Sequence, residues 1–150
     1  MTTSVIIPTK NEIIGIKKIL PQVDLTWADE WIVVDGNSTD GTIEEAKKLG
    51  FNVIQQKGVG LGDAYREAVK HATSENILFF SPDGNAPPEY IPKLIKKMNE
   101  GNYDIVQISR FGKEGRSDDD TAITAFGNRM FTFLVNSFFG GKLTDALFGF

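Results

Sequence analysis

Trp31-Ile32-Val33-Val34-Asp35-Gly36-Asn37-Ser38-Thr39-Asp40-Gly41-Thr42 is the stretch on which the fold turns. A short, continuously apolar run ends in a carboxylate, breaks into a polar loop with two glycines, and leads into a segment of helical pattern. A strand that is apolar at successive positions is covered on both faces, the arrangement of parallel sheets with helices on either side. The same grammar recurs outward at Ser4 to Ile7, Asn52 to Ile54, Ile77 to Phe80 and Asp104 to Ile108. Between these runs lie helical stripes, one of Leu61, Ala64, Tyr65, Ala68, Val69 and Ala72, another of Ile91, Leu94, Ile95 and Met98. The expected class is α/β, with right-handed crossovers and a mostly parallel central sheet flanked by helices. In such sheets ligands bind beyond the carboxyl ends of the strands, at Pro8 to Glu12, Asp35 to Thr42 and Ser81 to Asn85.

Composition narrows the function. The 150 residues, 41% hydrophobic and 24% charged, suit one domain with a sizeable core. A net charge of −4 argues against nucleic acid as a partner. With no cysteine and a lone His71, disulfides, thiolate nucleophiles and Cys or His metal clusters are excluded. No apolar run approaches the roughly 20 residues of a spanning helix, and the N-terminus lacks an export pattern. The chain is therefore expected to be cytoplasmic or peripheral at a membrane. Its apolar end, Leu147-Phe148-Gly149-Phe150, has no polar tail, so residues 1–150 are read as a single domain truncated at the C-terminus.

Each loop carries a chemical and a structural reading. Pro8-Thr9-Lys10-Asn11-Glu12 either holds a base or ribose, or uses Thr9 or Asn11 to cap a helix. Asp35 is placed to accept hydrogen bonds from a nucleobase N–H or a ribose hydroxyl, while Thr42 with Glu45 fits a capping box. Gly58-Val59-Gly60-Leu61-Gly62-Asp63 lacks the dinucleotide spacing; Gly60 either starts the next helix or lets a nucleotide lie against bare backbone. Ser81-Pro82-Asp83-Gly84-Asn85 contains an ordinary turn sequence, yet a carboxylate after a buried strand, with Asn85 as a second oxygen donor, suits a hard divalent cation bound to diphosphate.

Together these segments resemble family 2 glycosyltransferases of the GT-A fold, a Rossmann-like nucleotide-sugar-binding architecture. Val5-Ile6-Ile7-Pro8-Thr9-Lys10-Asn11-Glu12 is similar to the family's opening strand and nucleotide loop, and Val33 to Thr42 to its second. Gly60-Leu61-Gly62-Asp63-Ala64-Tyr65 resembles a motif of the dolichol-phosphate mannosyltransferase branch, which makes polyprenyl phosphate sugars. The resemblance implies that Pro8, Thr9, Asn11, Glu12, Asp35 and Gly60 hold the nucleotide, and that Asp83 and Asn85 bind Mg2+ or Mn2+. It also implies phosphate contacts from Arg110 and from Arg129, in Asn128-Arg129 at the opening of a Phe-rich helix. Phe126, Met130, Phe131, Phe133, Leu134, Phe138 and Phe139 are explained by core packing or by contact with a membrane surface. Thr144-Asp145-Ala146-Leu147-Phe148-Gly149-Phe150 resembles the family's acceptor segment, with Phe148 replacing a serine. Ser81 replaces the first carboxylate of the usual metal pair.

The reading that follows is inverting transfer of a hexose, mannose or glucose, from a nucleoside diphosphate sugar of GDP-mannose or UDP-glucose type to a polyprenyl phosphate at the cytosolic membrane face. Asp83, Arg110 and Arg129 carry that chemistry. An anionic phosphate acceptor needs no dedicated base, whereas a sugar hydroxyl does, with Asp145 the candidate. A noncatalytic nucleotide-sugar-binding module is the other alternative, kept open by Ser81.

Overall fold

A computed structural model of the chain describes residues 1–111 and 121–147; Phe148-Gly149-Phe150 of the acceptor segment lie outside the described residues. The chain divides into two compact units, Met1–Asp104 and Ile105–Phe150.

The first unit is built on a parallel sheet of β1 (Thr3–Thr9), β2 (Glu30–Asp35), β3 (Asn52–Gln55) and β4 (Asn76–Phe79), in the order β3-β2-β1-β4. Between successive strands run α1 (Ile13–Ile19), α2 (Thr42–Lys48) and α3 (Leu61–His71); α4 (Tyr90–Glu100) follows β4. The register pairs Thr9 with Asp35, Asp35 with Gln55 and Ile6 with Phe79, so the loops after all four strands leave by one edge. Chain order runs from β1 to β3 on one side of β1 and then jumps to β4 on the other. The crevice between the loops after β1 and β4 is thus the switch point at which open α/β sheets take ligands.

Side-chain alternation explains the layers. Ile6, Ile32 and Val34 meet Ala64 and Ala68 of α3, with Ile54, Ala72, Ile77 and Phe79 packed around them. Val5, Ile7 and Val33, pointing oppositely, are fully buried on the other face. Each such burial contributes about 1.5–3 kcal/mol, and β1 and β2, buried almost throughout, anchor the site. Trp31 packs edge-on against Phe51, with ring centroids 5.9 Å apart.

Several expectations change. Asp104 to Ile108 forms no ladder among the described residues, since an extended apolar run becomes a strand only when its backbone groups find partners. In the α3 stripe, Leu61 and Val69 are exposed because only the small Ala64 and Ala68 fit beneath the helix; Tyr65 instead packs on Phe79, with ring centroids 4.2 Å apart. The α4 stripe holds, with Ile91 buried and Leu94, Ile95 and Met98 half-buried.

In the second unit α5 spans Ala122–Phe139, so Asn128-Arg129 lies inside the helix rather than at its opening. The start is fixed by Thr121, which forms a capping box with Thr124, and the end by Gly140 in the left-handed conformation. Its pattern is inverted: Asn128 and Thr132 are buried, whereas Phe126, Met130, Phe131, Phe133, Leu134, Phe138 and Phe139 are all exposed. Core packing therefore accounts for none of the seven. No helix among the described residues is long and apolar enough to cross a membrane.

Candidate functional site

The first two loops are laced together by side chains. Asn11 and Asn37 both adopt positive φ, 53° and 63°, a conformation asparagine tolerates better than other side chains. The resulting turn aims three consecutive N–H groups at the second loop. Asn11 N donates to Ser38 Oγ at 2.7 Å, Glu12 N to Thr42 Oγ1 at 2.9 Å and Ile13 N to Asp40 Oδ2 at 3.1 Å. Thr39 N returns a bond to Asn11 Oδ1 at 3.0 Å. The first N–H of α1, that of Ile13, is thereby satisfied by the second loop, and neither Thr9 nor Asn11 caps its own helix. Thr42 is likewise not a cap: it is the first residue of α2, and its N–H and hydroxyl both donate to Asp40 Oδ1. The predicted box with Glu45 fails because Gly41 at φ 93° occupies the cap position.

Asp35 is fully buried at the end of β2. Its Oδ2 accepts from Thr9 Oγ1 at 2.9 Å and Ser38 Oγ at 2.6 Å, and its Oδ1 from Ser38 N at 2.7 Å. The carboxylate thus organises the first two loops from behind, with Ser38 between it and Asn11. Gln56, a residue the sequence reading passed over, extends the network. Its N–H donates to Asp35 O at 2.8 Å, and its side-chain amide donates to Gly60 O at 2.8 Å. Gly60 caps α3 at φ 89° and ψ 162°, a backbone region essentially reserved for glycine. Helix initiation is therefore a role Gly60 does perform.

Across the switch point, Asp83 is exposed and follows β4 at the same edge as Glu12. Its Oδ1 accepts from Asn85 N at 2.9 Å, a short turn that leaves the Asn85 side chain exposed beside it. Burial, reinforced by the negative charges of Asp83 and Asp40, raises the Glu12 carboxyl above its ordinary range. Gly15 on α1 supplies the close approach that brings the loops together. A Cβ there would stand 2.3 Å from Pro82 O and 2.7 Å from Glu12 Oε1. Among the described residues no three His, Cys, Asp or Glu side chains gather to hold an ion unaided. One carboxylate with a diphosphate is nevertheless an ordinary magnesium environment, so Asp83 fits a cation that arrives with a phosphorylated ligand.

The second unit has its own polar centre. Asp145 is fully buried. Arg110 donates to its carboxylate through Nε at 2.8 Å, Nη2 at 3.1 Å and its backbone N at 3.2 Å, and Asn128 Nδ2 through a 2.5 Å bond. Gln107 Nε2 donates to the Asp145 carbonyl. Burial opposes ionisation of Asp145, but the hydrogen bonds from Arg110 and Asn128 together with the Arg110 charge hold its pKa below the usual carboxylate range. A buried carboxylate so held serves as the counterion of Arg110. Arg129, one residue past Asn128, is exposed.

Residues 4–150 match the family described as Glycosyl transferase family 2. The chain is 32% identical over 147 residues to Glycosyltransferase AglJ of Haloferax volcanii, covering 97% of this chain and 48% of that protein. It is 35% identical over 127 residues to the dolichol-phosphate mannosyltransferase of Pyrococcus furiosus, covering 79% and 36%. It is 31% identical over 148 residues to a dolichyl-phosphate hexose transferase of Haloferax volcanii, covering 97% and 63%. The chain thus spans from about a third to under two thirds of these relatives' lengths. Among solved structures, glucosyl-3-phosphoglycerate synthase from Mycobacterium tuberculosis, in complex with Mn2+, uridine diphosphate and glucosyl-3-phosphoglycerate, is similar with a TM-score of 0.58 and 30% identity, covering 67% of this chain and 40% of that one. On sheet order, loop placement and the match over almost its whole length, this chain, with its GT-A fold, belongs to glycosyltransferase family 2.

Proposed function

We propose that the domain binds a nucleoside diphosphate sugar and takes part in inverting transfer of its hexose to a polyprenyl phosphate at the cytosolic membrane face. The observation that carries the reading is the exposed Asp83 carboxylate facing Glu12 at the switch point. Pro8, Thr9, Asn11 and Glu12 form one wall of the nucleoside site. Asp35 completes it, nucleoside donors taking the place of the Ser38 hydroxyl on the carboxylate. Gly60 presents bare backbone at the far side, where a Cβ would meet nothing within 4 Å.

Asp83 and Asn85, with the donor's diphosphate, would hold Mg2+ or Mn2+, which offsets charge developing on the leaving group. The solved relative holding Mn2+ and uridine diphosphate supports this. Arg129 and Arg110 would bind and orient the acceptor phosphate. A phosphate monoester is already anionic at neutral pH, so positioning replaces a general base. Asp145 keeps its place in this scheme as the partner of Arg110. The exposed Phe126, Phe133 and Phe138 of α5 give the domain an apolar surface suited to the lipid interface that such an acceptor requires. The similarity to dolichol-phosphate enzymes supports the acceptor class.

A second reading, transfer to a hydroxyl of a small phosphorylated acceptor, is favoured by the relative solved with UDP-glucose and phosphoglyceric acid. The low pKa and burial of Asp145 argue against it as the base this reaction needs. A panel of nucleotide sugars with Mg2+ or Mn2+, followed by transfer assays on dolichyl phosphate and on phosphoglycerate, tests both. Transfer to dolichyl phosphate alone is expected; transfer to phosphoglycerate alone selects the second reading. Binding without transfer to either replaces both with a noncatalytic module.

A further inference from the structure

We infer that Asn128 and Thr132 are positioning residues which, through Asp145, register Arg110 to helix α5 and so to Arg129. The inference rests on the reading above, in which the two arginines meet the acceptor phosphate, but its geometry does not depend on that reading. Arg110 and Arg129 come from separate segments, and a fork that recognises one phosphate needs them held as a unit.

The hydrogen bonds form a directed chain. Ala146 N donates to Thr132 Oγ1 at 2.9 Å. The Thr132 hydroxyl donates to Asn128 Oδ1 at 3.2 Å, and Asn128 Nδ2 donates to Asp145 Oδ1 at 2.5 Å. With its carbonyl facing the threonine, the Asn128 amide can present only N–H to Asp145; turned over, it would set oxygen against carboxylate. Each bond polarises the next. Asp145 is consequently pinned at two points of one helix face, its side chain by Asn128 and its following peptide by Thr132. One turn further, Asn136 fastens Leu143 by accepting from its N–H at 2.9 Å and donating to its carbonyl at 2.8 Å. The buried pair Asn128 and Thr132, at i and i+4, has no packing rationale, since the large apolar side chains of this helix are exposed instead. Arg110, held to Asp145 by Nε, Nη2 and its own N–H, follows wherever that helix face carries the carboxylate.

The test uses the full chain with Thr132→Val, which keeps shape and removes the hydroxyl, and Thr132→Ser, which restores it. Thr132→Val, which removes both hydrogen bonds of the hydroxyl, is expected to raise KM for dolichyl phosphate about tenfold or more, while Kd for the nucleotide sugar stays at its wild-type value. Thr132→Ser is expected to return the acceptor KM to within about twofold of wild type. A wild-type acceptor KM in Thr132→Val overturns the inference, as does an equal loss in donor and acceptor terms that serine does not rescue. A second readout needs no turnover: the Arg110 Nε–H resonance, displaced by its carboxylate partner, should move in Thr132→Val and stay in Thr132→Ser. An unmoved resonance in the valine variant overturns the inference even if wild type transfers to no lipid phosphate, an outcome that would count only against the proposed function. Should the valine variant not fold, Asn128→Ala is measured in its place with the same expectations.

Discussion

Replacing Gly15 by alanine should separate binding from folding. Gly15 lies buried in α1, and its φ is not in the left-handed region, so alanine meets no backbone obstacle there. Only space forbids it. The added Cβ would lie 2.3 Å from Pro82 O, short of ordinary contact by about 1 Å. Glu12 Oε1, at 2.7 Å, is the end of a flexible side chain and can swing away, but Pro82 O is backbone and takes the Asp83 turn with it. Overpacking costs about 1–3 kcal/mol, and alanine regains about 1 kcal/mol of helix propensity over glycine. The net stability loss is therefore at most about 2 kcal/mol, a drop of a few degrees in Tm for a chain of this size. Function suffers more, because a displacement of about 1 Å at a reacting centre costs on the order of 100-fold in rate. Calorimetric titration of the nucleotide sugar with Mg2+, transfer kinetics and a thermal melt on the same samples measure all three. A Gly15→Ala protein that melts several degrees low yet keeps kcat/KM within about threefold of wild type would refute the claim that this contact sets Asp83.

Further outcomes follow from the charges and the exposed helix. Asp83→Asn should let the Glu12 carboxyl titrate closer to its ordinary range, read by NMR; an unshifted Glu12 would mean the two do not face each other. The sign for stability is fixed. With its pKa raised in the folded state, Glu12 stabilises less as pH rises from its ordinary value through the raised one, and Asp83→Asn should flatten that decline. Asp145 behaves oppositely: its stabilising effect is present above its ordinary pKa and is lost as pH falls through the lowered one. Urea denaturation from pH 5 down to about pH 2 should therefore show a steeper loss in wild type than in Asp145→Asn; equal slopes would remove the ion pair from the account. Phe126→Ser with Phe133→Ser should reduce co-sedimentation with anionic vesicles by about tenfold while leaving nucleotide-sugar Kd unchanged. Undiminished sedimentation would place the membrane contact elsewhere.

The parts of the site legible beforehand were those whose chemistry is local. Pro8 after a buried strand, the glycines around Asp35 and the turn at Asp83 each announce a loop at the carboxyl edge, and parallel pairing then brings all of them to one side. What stayed hidden depended on partners distant in sequence. Ser38, one polar residue of a polar loop, joins Asp35 to Asn11. The need for glycine at position 15 arises from Pro82, 67 residues away, whose carbonyl comes to rest against it. The expected strand at Asp104 to Ile108 failed because periodicity reports which residues want burial, not whether a neighbouring backbone is there to pair. Asp145, the candidate base for a hydroxyl acceptor alone, is held by Arg110 and Asn128, partners 35 and 17 residues away in sequence that no local pattern announces. In α5 the decisive signal was present but faint: Asn128, Thr132 and Asn136 recur every fourth residue among aromatics, a polar seam easily lost against the hydrophobic background.

The lacing of the first two loops bears on how such domains can be re-engineered for a different nucleotide. Peptide hydrogens of Asn11, Glu12 and Ile13 rely on Ser38, Thr42 and Asp40, whose backbone belongs to another crossover altogether. Grafting residues 36–42 from a homologue with other side chains would leave the half-buried Glu12 donor without Thr42, at up to about 1–3 kcal/mol, while the exposed donors of Asn11 and Ile13 pass to water at smaller cost. Chimeras should therefore exchange residues 8–13 and 35–42 as one cassette, since a library that randomises either half alone loses the lacing that fixes both loops.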